Sequence, residues 1–383
     1  MTEKPIRILH VLGLFDYGGA ESLVMNVFRH MDHSKIMFDF VVHSEEVGAF
    51  EEEAKRLGAT IYRVPQYKGK NHFAYRKAWK SLFKEHPEYA IIHGHVRSTA
   101  SIYLKIAKDY GLKTIAHSHS ISSGTGISAK VKDFMQKGIR KRADEFLACS
   151  QIAGEWLFGS KVIKQSNFHI MNNAIDADKF LYDAERRKNS RKELNITDET
   201  VIGHIGRLHE AKNHLRLLNI FNEYQKLQPN SLLLLVGDGD LRETIENKVI
   251  QLGLNAKVRL LGSRKDTYDL VQAMDLFLFP SVYEGLGISV VESQASGLPT
   301  LVSTAVPNEA IFTDRVVSLS LDESDQTWAA TLNQLPKTDR ESLVTLENIK
   351  EAKFEIEEIS QWYADFISEL LQGQKMRGKV ITI

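Results

Sequence analysis

Residues 276–303, L-F-L-F-P-S-V-Y-E-G-L-G-I-S-V-V-E-S-Q-A-S-G-L-P-T-L-V-S, constrain this chain more than any other stretch. The segment begins and ends on short apolar runs, Leu276–Phe279 and Thr300–Ser303, each predicted as a buried strand. Between them Pro280 stops the first run, Gly285 and Gly287 free the backbone, and residues 288–296 carry apolar side chains at helical spacing. Strand, helix and strand in so short a span fit a parallel β-α-β unit. Glu284 then sits on the loop at a strand's carboxyl end, and Glu292 lies about two turns into the helix that follows. Ligands of parallel sheets bind at that edge. A glycine-rich helix entry turns backbone N–H groups and a positive dipole end outward, which suits phosphate, and two carboxylates suit the hydroxyls of sugar and ribose. An E-G-x-G alone is common and a helical carboxylate is usually solvated. V-V-E-S-Q-A, however, carries less charge than a solvent-facing helix would.

The same alternation runs through the rest of the chain. Ile6–Leu12 reads as a first strand, not a signal peptide, and D-Y-G-G-A follows it, with Gly18 and Gly19 opening a helix over 21–31. Further strands are predicted over 38–43 and 60–64, around an acidic helix over 48–57. I-I-H-G-H at 91–95 and T-I-A-H-S-H-S at 114–120 put histidines at strand ends. His-x-His can be a metal pair, but no third and fourth ligand stand at credible spacing. A hydrogen-bonding or acid–base role, with no metal, is the expectation. Later, a strand over 201–205 runs into G-R-L-H-E-A-K-N, where Gly206, Arg207 and Lys212 precede a helix over 213–226. Arginine binds phosphate through paired N–H bonds and lysine as a point charge. Ser231–Val236 ends in G-D-G-D from Gly237 onward, which is not a dinucleotide fingerprint because Arg242 stands where the third glycine belongs. The next strand and loop span 258–266, with Ser263 and Arg264 after Gly262. At 383 residues this is an α/β chain of two or three domains with parallel sheets.

Net charge is zero, yet residues 1–180 hold 26 Lys and Arg against 19 Asp and Glu, and 11 of the 14 histidines. A basic half argues for an anionic partner. Residues 67–84 mix six cations with Tyr67, Phe73, Tyr75, Trp79 and Phe83, and residues 130–142 form a second basic helix. Each is either an ordinary amphipathic helix or a contact for anionic lipid. No run reaches the ~20 apolar residues of a membrane-spanning helix. Cys149 is the single cysteine and fits a small buried residue in a reducing compartment. A cytoplasmic chain is expected, with nucleic-acid binding disfavoured by the zero net charge.

The segment from Glu284 to Glu292 resembles the glutamate–seven–glutamate signature of retaining glycosyltransferases with the GT-B fold. A-H-S-H-S at 116–120, A-C-S-Q-I-A-G-E-W-L-F from Ala148 and N-A-I-D-A-D-K-F from Asn173 are similar to stretches of glycosyltransferase family 4, especially its exopolysaccharide and capsule branch. Ala174 replaces the usual glycine of that last stretch. The resemblance implies two Rossmann-like domains facing a central cleft. An acceptor domain would cover 1–173, with a helix over about 356–372 packing back on it, a nucleotide-sugar domain 174–355, and a tail 373–383.

It further implies that His119, rather than His117, stands near the donor sugar, with Arg207 and Lys212 on the diphosphate. Glu284 would hold the transferred sugar and Glu292 the ribose. Gly18, Gly19, Gly206, Gly237, Ser263, Arg264, Gly285, Leu286 and Gly287 would line the donor site, and a loop over 120–128 would close on the acceptor. A UDP-sugar donor and a saccharide or lipid-linked saccharide acceptor are implied. So is metal-independent retention on the inner face of the plasma membrane, with no cofactor. A nucleotide-sugar 2-epimerase and a non-catalytic nucleotide-sugar-binding partner share the architecture. The basic aromatic helices disfavour the first, and the intact Arg207, Lys212, Glu284 and Glu292 the second.

Overall fold

The computed structural model describes residues 4–121, 126–336, 340–341 and 343–373, with only the backbone of residues 126–129. The predicted 373–383 tail beyond Gly373, and the centre of the predicted 120–128 loop, lie outside the described residues. The chain divides into two compact units, Met1–Ala174 with Ile356–Ile383, and Ile175–Glu355.

In the first unit, β1 (Ile6–Leu12), β2 (Ile36–Val42), β3 (Ile61–Arg63), β4 (Ile91–Gly94), β5 (Lys113–Ser118), β6 (Glu145–Ala148) and β7 (Phe168–Ile170) form one parallel sheet. Its order is β3-β2-β1-β4-β5-β6-β7. All seven residues of β2 are buried, as expected of a strand with helices on both faces. One face packs Phe28, Phe38 and Phe40 against Ile356, Ile359, Tyr363, Phe366 and Ile367 of the helix Ile356–Gln372. The other packs Trp79, Tyr103 and Phe158.

In the second unit, β8 (Thr200–Ile205), β9 (Ser231–Val236), β10 (Val258–Leu260), β11 (Leu276–Phe279), β12 (Thr300–Ser303) and β13 (Val316–Leu319) make a parallel sheet ordered β10-β9-β8-β11-β12-β13. The β-α-β unit read from residues 276–303 is present, with β11 and β12 paired in register from Phe277 and Thr300. Both units are Rossmann-like α/β layers, as the sequence indicates.

One reading needs correction. The basic helix read over 130–142 is Gly126–Gln136 followed by a separate 3-10 turn at Ile139–Lys141, because Gly138 interrupts it. The charged stretch 183–199 belongs to the second unit. Its helix Ala184–Glu193 is held by Arg187 Nη2 on Asp275 Oδ1 at 2.5 Å and by Arg191 Nη1 on Asp275 Oδ2 at 3.2 Å. The C-terminal stretch holds two helices, Leu346–Glu351 and the expected Ile356–Gln372, separated at Lys353, whose φ is 61°.

Candidate functional site

β8 lies between β9 and β11, so the sheet grows away from it in opposite directions. Such a switch point opens a crevice at the carboxyl ends of the strands. The loops after β8 and β11 border it and are tied together. Val282 N donates to Ala211 O at 2.8 Å, and Asn213 Nδ2 donates to Pro280 O at 3.1 Å. Asn213 adopts the left-handed conformation, φ 58°, which asparagine tolerates better than most residues. This brings Lys212 Nζ to 2.7 Å from Glu284 Oε1 and 4.6 Å above the Phe279 ring. Glu284 is 8% exposed, so the pair is largely removed from water.

Gly287, φ 89°, precedes the helix Ile288–Ala295, and that backbone favours glycine alone. Leu286 is buried beside it. Glu292 lies within the helix, and burial pushes its carboxyl up to about 8 while the Lys212 charge pulls the other way. Gly206 makes room for Lys212, since a Cβ there would stand 3.2 Å from Lys212 Cε. Gly237, φ 136°, is a packing requirement, because its Cβ would lie 2.1 Å from Gly206 O.

The remaining predicted residues of this unit do not join the Lys212–Glu284 pair. Arg207 is exposed, and its Nη2 is 3.8 Å from Asp240 Oδ2. Arg264, next to Ser263, donates through Nε to Asp266 Oδ1 at 2.7 Å. That contact raises the arginine pKa and lowers that of the carboxyl. His204, which sequence reasoning passed over, is buried and bonded through Nδ1 to Leu278 O at 2.9 Å. It also lies close to Gly206, where a Cβ would stand 3.2 Å from its Nε2.

In the first unit β1 occupies the corresponding switch point, between β2 and β4. Gly18 precedes the helix Gly19–Arg29, where a Cβ would stand 2.2 Å from Glu21 Oε2, and Gly19 approaches Asn173. Beside them the strand ends gather His10, His93, His95, His117 and His119. His10 Nδ1 lies 3.0 Å from His95 Nε2, and His95 Nδ1 lies 2.8 Å from His119 Nε2. His93 Nε2 is 3.2 Å from His117 Nδ1, and its Nδ1 is 2.7 Å from the Tyr363 hydroxyl.

Burial holds all five imidazoles far below their ordinary pKa, His10 and His119 at about 3. They are therefore neutral near pH 7. A neutral imidazole has one N–H, so the His10–His95–His119 row must run its donors in a single direction. His10 Nε2, His117 Nε2 and His119 Nδ1 have no partner among the described residues. An unsatisfied buried polar atom costs about 1–3 kcal/mol.

The expectation that His-x-His lacks further ligands is corrected here. His10 stands directly opposite His93 in the β1–β4 register, and β5 adds two more rings. Histidines repeated at the ends of three apolar strands were the available signal. Which strands are neighbours was not written locally.

Of the basic aromatic residues, Tyr75, Trp79 and Phe83 face the core of the helix His72–Glu85, whereas Phe73 is 87% exposed. On the helix Gly126–Gln136, Val131 and Phe134 are exposed near Lys130 and Lys132. No described helix is long and apolar enough to cross a membrane.

Comparison with known proteins agrees with this geometry. The family model for Glycosyl transferases group 1 matches residues 185–352, and that for Glycosyltransferase Family 4 matches 17–179. EpsF of Bacillus subtilis (strain 168), named as a glycosyltransferase, is 32% identical over 340 residues, covering 87% of this chain and 88% of that protein. An Escherichia coli UDP-Gal:alpha-D-GlcNAc-diphosphoundecaprenol alpha-1,3-galactosyltransferase is 24% identical over 338 residues, 85% of this chain and 86% of its own. Among solved structures, Anabaena HepE in complex with UDP-glucose superposes with a TM-score of 0.78 at 19% identity, covering 95% of this chain and 100% of that one.

Proposed function

The chain belongs to the group 1 and family 4 glycosyltransferases, and on that premise we propose that it is a retaining enzyme using a UDP-sugar. It moves a hexose or N-acetylhexosamine to a saccharide acceptor, lipid-linked, in exopolysaccharide or capsule assembly. The observation that carries this reading is the Lys212–Glu284 pair at the β8 switch point, with the glycine-entered helix and Glu292 beside it. The UDP preference is supported by the UDP-galactose donor in the name of the Escherichia coli relative and by the HepE complex. A lipid-linked acceptor is supported by the same relative's diphosphoundecaprenol substrate and by the exposed Phe73, Val131 and Phe134 on basic helices.

In the proposed step the bond between the anomeric carbon and the β-phosphate oxygen breaks as the acceptor oxygen bonds that carbon from the same face. The acceptor proton passes to the departing phosphate. Negative charge grows on the diphosphate, so fixed donors there stabilise the transition state more than the ground state. Lys212, Arg207 and the amides of Gly285–Gly287 supply them. Glu284 holds hydroxyls of the transferred sugar, and Glu292 those of the ribose. Gly206, Gly237, Ser263 and Arg264 shape the nucleotide pocket. Neutral His119 hydrogen-bonds the sugar, and Gly18 and Gly19 line the donor site. These cations stand in for a metal at the diphosphate, so transfer is metal-independent.

The test incubates the full chain with UDP-, GDP- and ADP-sugars, with and without EDTA, beside Glu284→Ala and the better-packed Glu284→Gln. Release of UDP from one sugar, insensitive to EDTA and lost in both variants, is expected. Conversion of the sugar nucleotide to an epimer overturns the transferase reading. Docking on lipid is read separately by flotation with anionic and neutral vesicles, and equal recovery from both refutes it.

A further inference from the structure

We propose that the first unit holds a transition-metal site built from the imidazoles of His10, His93 and His95, of the kind that takes Zn²⁺. Each ring offers one nitrogen, and the three nitrogens lie within 4.8 Å of one another. A tetrahedral Zn²⁺ with Zn–N bonds of ~2.0–2.1 Å needs its nitrogens roughly 3.3–3.4 Å apart, so small ring shifts complete the geometry. The His10–His95 pair already stands at 3.0 Å.

Three further observations point to a ligand. A cavity of about 10 Å³, room for a single water-sized sphere, has His10, His93, His95 and His117 on one side and apolar side chains, Val24 and Phe38 among them, on the other. Its donors are imidazoles with no carboxylate in the lining, a set that suits Zn²⁺, Co²⁺, Ni²⁺ or Cu²⁺ over Mg²⁺ or Ca²⁺. His10 Nε2 has no partner among the described residues, so the ring can carry its proton there and leave the Nδ1 lone pair, the nitrogen that faces His95, for an ion.

A second layer is present as well. Metal-bound histidines usually pass their other ring nitrogen to a fixed partner. The Tyr363 hydroxyl meets His93 Nδ1 at 2.7 Å, and His119 Nε2 meets His95 Nδ1 at 2.8 Å. When the Tyr363 hydroxyl accepts from His93 Nδ1–H, the Nε2 lone pair of His93 is free for an ion. His117, 3.2 Å from His93 Nε2, or a water takes the fourth position. His10 and His93 are buried while His95 and His119 are half-buried, so an ion enters past the latter two. This site lies wholly within the first unit and touches the transfer step proposed above only through the His95–His119 contact.

The test titrates metal-stripped full-length protein with Co²⁺ and follows visible absorption. One equivalent is expected, with the strong bands of tetrahedral coordination, displaced by one equivalent of Zn²⁺. Separate His10→Asn and His93→Gln variants should each bind Zn²⁺ at least ~100-fold more weakly, and Tyr363→Phe about tenfold more weakly. Should a variant fail to fold, X-ray absorption at the zinc edge of the unmodified protein counts the imidazoles, with three or more expected. Uptake well below one equivalent, an octahedral Co²⁺ spectrum, or unchanged affinity in folded His93→Gln overturns the proposal. No readout uses turnover, so its failure leaves the transferase reading untouched, and the reverse holds too.

Discussion

Beside β1 the chain places uncharged imidazoles, hydrogen-bonded ring to ring. Beside β8 it places a lysine on a glutamate, glycines with a positive φ, and a second carboxyl held in its acid form. Both positions are switch points of parallel sheets with the same local order of neighbours. The fold thus fixes where a ligand goes, and the side chains on two or three loops decide what that ligand is. A full positive charge at the second position suits a diphosphate. Neutral, polarisable nitrogens at the first suit sugar hydroxyls or a soft metal.

The largest way to break this contrast is to remove the charge. Lys212→Ala is expected to lower transfer turnover about 10²–10³-fold, measured as UDP release, with donor affinity changing less. Next comes the backbone. Gly287→Val forces a β-branched residue to φ 89° and should cost on the order of 2 kcal/mol in chemical unfolding.

Protonation gives a third, opposite test for the two regions. Glu292 keeps its proton in the fold up to about 8, whereas the unfolded chain gives it up near 4.5. Folded protein binds more protons in that window, so this group's contribution to stability falls as pH rises through it. Glu292→Gln should therefore gain in Tm over the parent most at pH 8 and hardly at all at pH 4.5. In metal-free protein the imidazoles act the other way. The unfolded chain takes up their protons below about 6.5 and the fold refuses them down to about 3, so stability falls as pH drops. Smallest is Arg207→Ala, with stability within about 0.5 kcal/mol because the side chain is exposed. Its effect is expected in the Michaelis constant for the donor.

The sequence was most legible where one short stretch carries its own instructions. Leu276–Phe279, Ser231–Val236 and Thr300–Ser303 have the predicted bounds, because apolar runs and their Gly, Pro or Ser stops are local signals. The approach of Lys212 to Glu284, 72 positions apart, was legible only through the family resemblance. Harder still was the histidine row. His10 and His93 are 83 positions apart, and no local pattern states that β1 borders β4. The tie of Ala184–Glu193 to Asp275 was hidden for a related reason, since a charged helix looks solvated until its carboxylate partner is in place.

The helix Ile356–Gln372 completes the core of the first unit and supplies the hydroxyl that bonds His93. The ribosome makes that helix only after residues 175–355 have been added to the chain. At ~5–20 residues per second that interval is roughly 10–40 s. During it, Phe38, Phe40 and the imidazole row lack the side chains of Ile359, Tyr363 and Phe366. The second unit, continuous in sequence, can close first. The half translated earliest is then the one finished last, and until then apolar side chains of its core lack their cover.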